Sequence, residues 1–192
     1  MYTLPHHHYK IFKPYGFISQ FKHNRIKKRE RVLGELYDFP NNTMAIGRLD
    51  KDSEGLLLLT TDGKISEAIR SKQIEKEYYA QVDGLMTDEA ILKLKNGVKI
   101  GINGKIYLTK PCQVSKVIDA PDFPPRSKKI RDDRHGPTSW VSIIITEGKF
   151  RQVRKMTAAV GFPTLRLVRV RVGKITLNNM KTGEVIELNA LV

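Results

Sequence analysis

The pattern of apolar and polar positions predicts many short strands with a few helices between them. Four consecutive leucines at residues 56–59, closed by a turn at Thr61-Asp62-Gly63, predict a strand that is buried on both faces. Alternating stretches predict further strands at residues 9–12, 75–82, 98–108, 113–118, 140–146, 165–172, 174–177 and 184–188. Helical spacing predicts helices at residues 32–37, 64–71 and 149–160, and between Thr87 and Gly97.

Strands outnumber helices in this pattern, and hairpin turns outnumber crossovers. We therefore expect an α+β fold with a central mixed, mostly antiparallel sheet flanked by helices and loops. No internal repeat or clear linker interrupts residues 1–192, so we expect a single domain, with two subdomains around a cleft as an open alternative.

Two segments are too basic and irregular for this pattern. Residues 21–31 carry six lysines and arginines and a single acidic residue, Glu30. The segment is therefore either a solvated loop or a segment that binds phosphates. Residues 119–138 combine four prolines with five lysines and arginines. We interpret them as a long basic surface loop, for which disorder without a partner is an open alternative.

The charge balance narrows the class of partner. The 192 residues hold 34 Lys and Arg against 20 Asp and Glu, a net charge of +14. This excess is more than solubility requires and favours a polyanion, most simply nucleic acid, although nonspecific charge is an alternative. The sequence has no long apolar run and no export signal, so we expect a cytoplasmic protein that does not bind a membrane. Cys112 is the only cysteine, so we expect no disulfide and no metal site.

Three residues are candidates for chemistry. Asp50 follows Gly47-Arg48-Leu49 on the loop that enters the leucine strand, and rigidly anchored loops often carry catalytic groups. An ionised carboxylate can attack an anomeric carbon, a nearby tyrosine such as Tyr78 can stack on a base, and a cation such as Arg154 can keep the carboxylate ionised. The spacing alone leaves simpler roles open: a turn aspartate, a strand tyrosine and a surface arginine.

Four motifs, in order along the chain, give these residues a context. They are Lys13-Pro14-Tyr15-Gly16, Gly47-Arg48-Leu49-Asp50 with Ser53-Glu54-Gly55-Leu56-Leu57, Lys76-Glu77-Tyr78, and Glu147-Gly148-Lys149-Phe150-Arg151-Gln152-Val153-Arg154-Lys155-Met156. With these motifs the chain resembles the RsuA-like family of ribosomal RNA pseudouridine synthases over nearly its whole length, from Tyr9 to about Leu188.

The resemblance implies the pseudouridine synthase catalytic fold and its reaction, in which uracil leaves its ribose, rotates and rejoins through carbon five. It makes Asp50 the catalytic carboxylate, Tyr78 the residue that stacks on uracil, and Arg154 the partner of Asp50. It implies no cofactor, and we expect a monomer. The further residues expected to bind substrate or RNA are Arg48, Lys13, Lys76, Arg151, Val153 and Lys155, with a structural role also open for Lys13.

Two features resemble the subgroup that modifies large-subunit ribosomal RNA, the E type. We expect no N-terminal S4-type RNA-binding domain, and Arg151 stands where relatives often have histidine. The substrate is then ribosomal RNA or an assembly intermediate, selected by residues 21–31 and 119–138 or by RNA shape. The alternatives are a noncatalytic RNA-binding or ribosome-assembly factor on the same fold, and a different glycosyl-bond enzyme using Asp50 with Glu54.

Overall fold

The computed structural model describes residues 5–23, 30–71 and 73–191. Its helices are α1 (Gly63–Ser71), α2 (Asp88–Asn96) and α3 (Gln152–Ala159), with short 3-10 helices at Leu33–Glu35 and Asp133–His135. The strands are β1 (His8–Lys13), β2 (Phe17–Ile18), β3 (Arg31–Val32), β4 (Met44–Ala45), β5 (Glu54–Thr60), β6 (Lys76–Asp83), β7 (Lys99–Ile102), β8 (Lys105–Leu108), β9 (Gln113–Val117), β10 (Thr138–Ile145), β11 (Thr164–Val172), β12 (Ile175–Thr176) and β13 (Val185–Leu188).

One large sheet runs through the described chain in the order β13-β1-β5-β11-β6-β10-β9. Its neighbouring strands are antiparallel except β5 and β11, which are parallel. Two short strands add to it, β4 beside β5 and β12 beside β11. The predicted α+β class and its mixed, mostly antiparallel sheet are therefore confirmed.

Strand β5 is buried along its whole length. Leu56 and Leu58 pack on one side of the sheet in a cluster that includes Ile69 of α1. Leu57 and Leu59 pack on the other side, against a cluster that includes Leu49. The alternation explains why four consecutive leucines suit one strand, since both of its faces are covered by apolar side chains.

A further core cluster covers the β6 and β10 end of the sheet. Ala80 of β6 and Val141 of β10 pack there with Leu94 of α2 and Met156 of α3. Thr87 caps α2 as predicted, because its Oγ1 accepts a hydrogen bond from the backbone N–H of Ala90 at 3.2 Å. Two helices therefore cover one face of this half of the sheet.

Two predicted helices are wrong in detail. The helix expected at residues 149–160 begins only at Gln152, because Arg151 adopts a left-handed backbone conformation with φ of 53°. The helix expected at residues 32–37 is reduced to the 3-10 turn Leu33–Glu35 after β3. Its first turn is closed by the Glu35 carboxylate, which accepts a hydrogen bond from Val32 N at 2.8 Å.

The basic loop at residues 119–138 is held against the sheet. Arg131 forms an ion pair with Asp83 at the end of β6. Phe123 packs its ring against Tyr79 and Trp140. The alternative of disorder without a partner is therefore wrong for this segment. In the other basic segment, residues 24–29 lie outside the described residues. None of the described helices combines the length and apolar composition that a membrane crossing needs.

Candidate functional site

A cavity of about 690 Å³ opens beside the loop that precedes β5. Its walls come from residues 18–20, from the loop at residues 47–51 and from the turn at residues 148–151. Its apolar lining includes Val153 of α3, Leu167 of β11 and Ile145 of β10. Asp50 and Tyr78 both line it, so the fold brings together two of the three residues proposed for catalysis.

Backbone hydrogen bonds hold Asp50 in place on both sides. Ser19 Oγ donates to Leu49 O at 2.8 Å and accepts from Leu49 N at 3.0 Å. On the other side, Gly16 N donates to Lys51 O at 2.8 Å. The Leu49 side chain is buried in the core. The Asp50 side chain is 28% exposed, so a rigid loop presents a partly accessible carboxylate to the cavity.

Tyr78 reaches the cavity from β6. Its ring packs partly against both neighbouring core clusters. The guanidinium of Arg169 lies 6.0 Å from its centroid and is itself held by a hydrogen bond from Nε to Leu56 O at 2.7 Å. The tyrosine is therefore packed on one side and open to the cavity on the other, which suits contact with a planar ligand.

Two arginines meet the carboxylates of this loop. Arg151 donates two hydrogen bonds to Asp52, at 2.8 and 2.7 Å, and its Nη1 lies 3.8 Å from Asp50 Oδ2. Arg154 donates from Nη2 to the backbone carbonyl of Asp52 at 2.6 Å, and its Nε lies 3.5 Å from Asp52 Oδ2. The expected direct pairing of Arg154 with Asp50 is corrected: Arg154 binds Asp52, and Arg151 is the arginine beside Asp50.

The two arginines also set the charge of Asp52. Burial raises the pKa of this carboxyl, but the hydrogen bonds from Arg151 and the charges of Arg154 and Arg151 outweigh it and leave the pKa below its ordinary value. Burial lowers the pKa of Arg154, opposed by Asp52. Asp52 therefore stays ionised and anchors both guanidinium groups, of which that of Arg151 lies beside Asp50.

Lys13 lies beneath the site and does not reach its surface. Its side chain is fully buried, and its ammonium donates to Phe17 O at 2.7 Å and to Pro14 O at 3.0 Å. Burial lowers its pKa to about 7, although Glu54, Asp50 and Asp52 act in the opposite direction. The expectation that Lys13 contacts RNA is therefore corrected in favour of the structural role, because a buried ammonium with two carbonyl partners cannot reach a phosphate.

The remaining predicted RNA-binding residues divide into two groups. Arg48 is exposed and lines the cavity, as do Arg151 and Val153. Lys76 instead donates to Thr146 O at 2.9 Å, and Lys155 donates to Gly101 O at 2.6 Å. These two lysines do not line the cavity, since their ammonium groups are bound to backbone carbonyls outside its lining.

Glu54 has surroundings unlike those of Asp50. It is 1% exposed and accepts two hydrogen bonds from Arg166, at 3.0 Å from Nε and 2.9 Å from Nη2. It does not line the cavity. The alternative in which Asp50 and Glu54 act as paired catalytic carboxylates is corrected, because one of the two is sealed in the core by its own arginine.

Comparison with known proteins decides the family. The model of the family described as RNA pseudouridylate synthase matches residues 7–159, which include all four motifs and the cavity-lining residues except Leu167. The chain belongs to this family. The expected membership is thus confirmed.

The relatives of this pseudouridine synthase extend over most of its length. A protein from Xanthomonas axonopodis pv. citri (strain 306), named ribosomal large subunit pseudouridine synthase E, is 45% identical over 164 residues, which cover 84% of this chain and 83% of that protein. A protein of the same name from Vibrio parahaemolyticus serotype O3:K6 (strain RIMD 2210633) is 41% identical over 174 residues, which cover 90% of this chain and 69% of that protein. A solved structure titled as a pseudouridylate synthase is 25% identical, with a TM-score of 0.75, and covers 96% of this chain and 71% of that one.

Sequence reasoning missed three residues at the site of this pseudouridine synthase. Asp52 was not singled out, although it binds both arginines, and Ser19 carried no motif signal at all. Phe150 falls within the helix predicted at residues 149–160, but it lies in the turn before α3 and lines the cavity. The left-handed backbone conformation of Arg151 could not be predicted from the sequence, and it decides where that turn ends and the helix begins.

The described residues bring no three metal-ligating side chains together.

Proposed function

We propose that this chain isomerises uridine to pseudouridine at a specific site in large-subunit ribosomal RNA. The observation that carries the proposal is the cavity that Asp50, Tyr78 and Arg151 all line, with Arg151 3.8 Å from Asp50. Family membership supports the reaction, and the names of the similar proteins support the large subunit as the source of the substrate. The net charge of +14 suits a long polyanion.

In this proposal the reaction exchanges one bond for another and needs no second substrate. The bond between the ribose anomeric carbon and the uracil nitrogen breaks, and a bond from the same carbon to carbon five forms. The hydrogen of carbon five leaves as a proton to water, and the detached nitrogen gains one. Attack on the sugar and removal of a sugar proton both require a carboxylate at the ribose, and that carboxylate is Asp50 in this proposal.

The other residues have positioning roles in the proposal. Tyr78 stacks on the uracil after the nucleotide has turned out of its RNA, a step that costs a few kcal/mol. Val153 packs beside the base. Asp52 holds Arg151 and Arg154 in place, and the Arg151 guanidinium lies 3.8 Å from the Asp50 carboxylate. Phosphate contacts from Arg48 and neighbouring basic side chains offset the cost of turning the base out.

The choice of target is assigned to the basic segments. Arg126, in the loop at residues 119–138, lies 4.6 Å over the ring of Tyr15. Tyr15 belongs to the turn that is hydrogen-bonded to Lys51 through Gly16. The loop at residues 119–138 therefore lies next to the Asp50 loop and can contact RNA around the target uridine. We further propose a single catalytic domain that acts as a monomer in the cytoplasm, on ribosomal RNA or an assembly intermediate.

Tritium release from RNA labelled at carbon five of uridine tests the proposal. Wild-type protein is expected to release label from large-subunit RNA, and Asp50→Asn to lower the rate by about 1000-fold or more, within the range of a catalytic acid or base. The matched control is Asp38→Asn, an exposed aspartate that does not line the cavity, which should leave the rate unchanged. RNA binding should survive in both variants.

Two results would contradict the proposal. If wild-type protein releases no label from large-subunit RNA, small-subunit RNA or assembly intermediates, the noncatalytic RNA-binding factor becomes the better description. If Asp50→Asn and wild type release label equally, the enzyme is real and the carboxylate has been assigned wrongly.

A further inference from the structure

Phe150 is an exposed aromatic residue at the rim of the cavity. It is 63% exposed, and it lines the same cavity as Asp50 and Tyr78. Single exposed apolar side chains are common on protein surfaces, so exposure alone carries little meaning. Phe150 differs by its position: of the large apolar residues that are exposed in the described chain, it is the one that lines this cavity.

The turn that carries Phe150 is held on both sides. The side-chain oxygen of Gln152 accepts a hydrogen bond from Lys149 N at 3.0 Å, and its amide nitrogen donates to Glu147. Arg151 is turned toward Asp52 and bound to it by two hydrogen bonds. Since the residues before and after Phe150 are fixed in this way, the outward position of its ring is prepared in advance of any ligand.

Positive charge surrounds the exposed ring. The ammonium of Lys155 lies 5.2 Å from its centroid and is bonded to Gly101 O. Arg151, the next residue, carries a guanidinium that is bound to Asp52, and the ammonium of Lys149, the preceding residue, lies 4.9 Å from the centroid of the Tyr107 ring. An aromatic platform among cations matches single-stranded nucleic acid, which offers a phosphate charge and a base surface at each nucleotide. An apolar protein segment would match the ring but not the charges.

We propose that Phe150 stacks on an RNA base that neighbours the uridine held in the cavity. The inference rests on the proposed function for the identity of that uridine. Tyr78 is packed into the floor of the cavity and is assigned to the uracil itself. Phe150 lies at the rim of the cavity, where the RNA strand enters or leaves. Stacking there helps to hold the RNA open around the displaced nucleotide without reading its sequence by hydrogen bonds.

A fluorescence titration tests the stacking directly. The probe is a short oligouridine RNA with one 2-aminopurine, whose emission falls when it stacks, and the protein is the Asp50→Asn variant to prevent turnover. Adding Phe150→Ala is expected to abolish most of the quenching and to weaken binding about ten-fold. Adding Phe150→Tyr should restore both, because it keeps the ring. Leu92→Ala, which removes an exposed apolar side chain of α2 outside the cavity, is the matched control and should change neither.

The salt dependence separates stacking from charge. Phe150→Ala should lower the affinity at every salt concentration and leave the slope of log Kd against log salt unchanged, because the ring neutralises no phosphate. Equal quenching and affinity with and without the ring would overturn the inference. A changed slope would assign the loss to displaced lysines instead.

Failure of this inference is distinguishable from failure of the proposed function. Quenching that depends on Phe150, without tritium release from any ribosomal RNA, would support the stacking contact and contradict the proposed isomerase activity. Tritium release by a Phe150→Ala protein that binds RNA as tightly as wild type would keep the isomerase and remove the stacking contact. Absence of RNA binding by every protein tested would overturn both.

Discussion

Two ion-pair groups lie close together in the sequence but in opposite surroundings. Glu54 and Arg166 form a sealed pair between neighbouring strands, where the two side chains are 1% and 8% exposed. Asp50 and Asp52 face Arg151 at the cavity, with about a third of each of these three side chains exposed. The first pair joins β5 to β11, while the second group keeps its charges within reach of a ligand.

The difference between the two groups separates structural charge from chemical charge. A carboxylate that is buried and bound at both oxygens has no capacity left for a substrate, and its removal leaves an uncompensated guanidinium in the core. A carboxylate at 28% exposure with one arginine at 3.8 Å keeps access to a ligand and still has a cation beside it. Charge and sequence proximity do not distinguish the two, whereas burial and partners do.

The largest effect is expected from breaking the buried pair. Glu54→Gln keeps the shape but leaves Arg166 without its counter-charge, and should lower the free energy of unfolding by about 3–5 kcal/mol. The matched control, Glu89→Gln, removes a carboxylate from an exposed pair with Lys93 and should leave the free energy of unfolding nearly unchanged. Denaturant unfolding measures both. A Glu54→Gln protein as stable as wild type but unable to release tritium would instead return Glu54 to the chemistry.

A smaller effect is expected from loosening the Asp50 loop. Ser19→Ala removes both hydrogen bonds to Leu49, and we expect kcat to fall about 10- to 100-fold because the carboxylate is no longer held in position. KM should change little, since Ser19 positions a catalytic residue and carries no charge. Ser19→Thr retains the hydroxyl and should recover most of the rate, and Ser71→Ala on α1 is the control. A fall in kcat that a global loss of stability accounts for, and that Ser19→Thr does not recover, would mark Ser19 as merely structural.

The smallest effect, taken per pH unit and not as a total, is expected from the pH dependence of the buried lysine. The pKa of Lys13 is about 7 in the folded protein, against about 10.4 in an unfolded chain. Between these values the unfolded state binds more protons, so stability should rise with pH by up to about 1.4 kcal/mol per pH unit from this group. Lys13→Met should remove that rise. Lys93→Met, in an exposed pair with Glu89, is the control. Identical pH profiles for wild type and Lys13→Met would mean that the pKa of Lys13 is the same in the folded and unfolded states.

Much of the fold could be predicted because the local pattern and the tertiary packing agree. The leucine run of β5, the Thr87 cap of α2 and the turn at Asn103 and Gly104 each carry a signal within a few residues. The start of α3 could not be predicted, because a non-glycine residue in the left-handed region depends on the partners that hold it there. Those partners, Asp52 for Arg151 and Glu147 for Gln152, are 99 and 5 residues away.

The sequence by itself determined the α+β class, the four motifs and the basic charge, and with them the expectation of a pseudouridine synthase with Asp50 at its centre. The tertiary structure alone decided which of the neighbouring carboxylates faces the cavity, which arginine stands beside Asp50, and that Lys13 is buried. The physical reason is that motifs and periodicity are local, whereas exposure and ion pairing depend on groups brought together from distant strands. Phe150 and Ser19 acquire their roles in the same way, from what lies next to them in space.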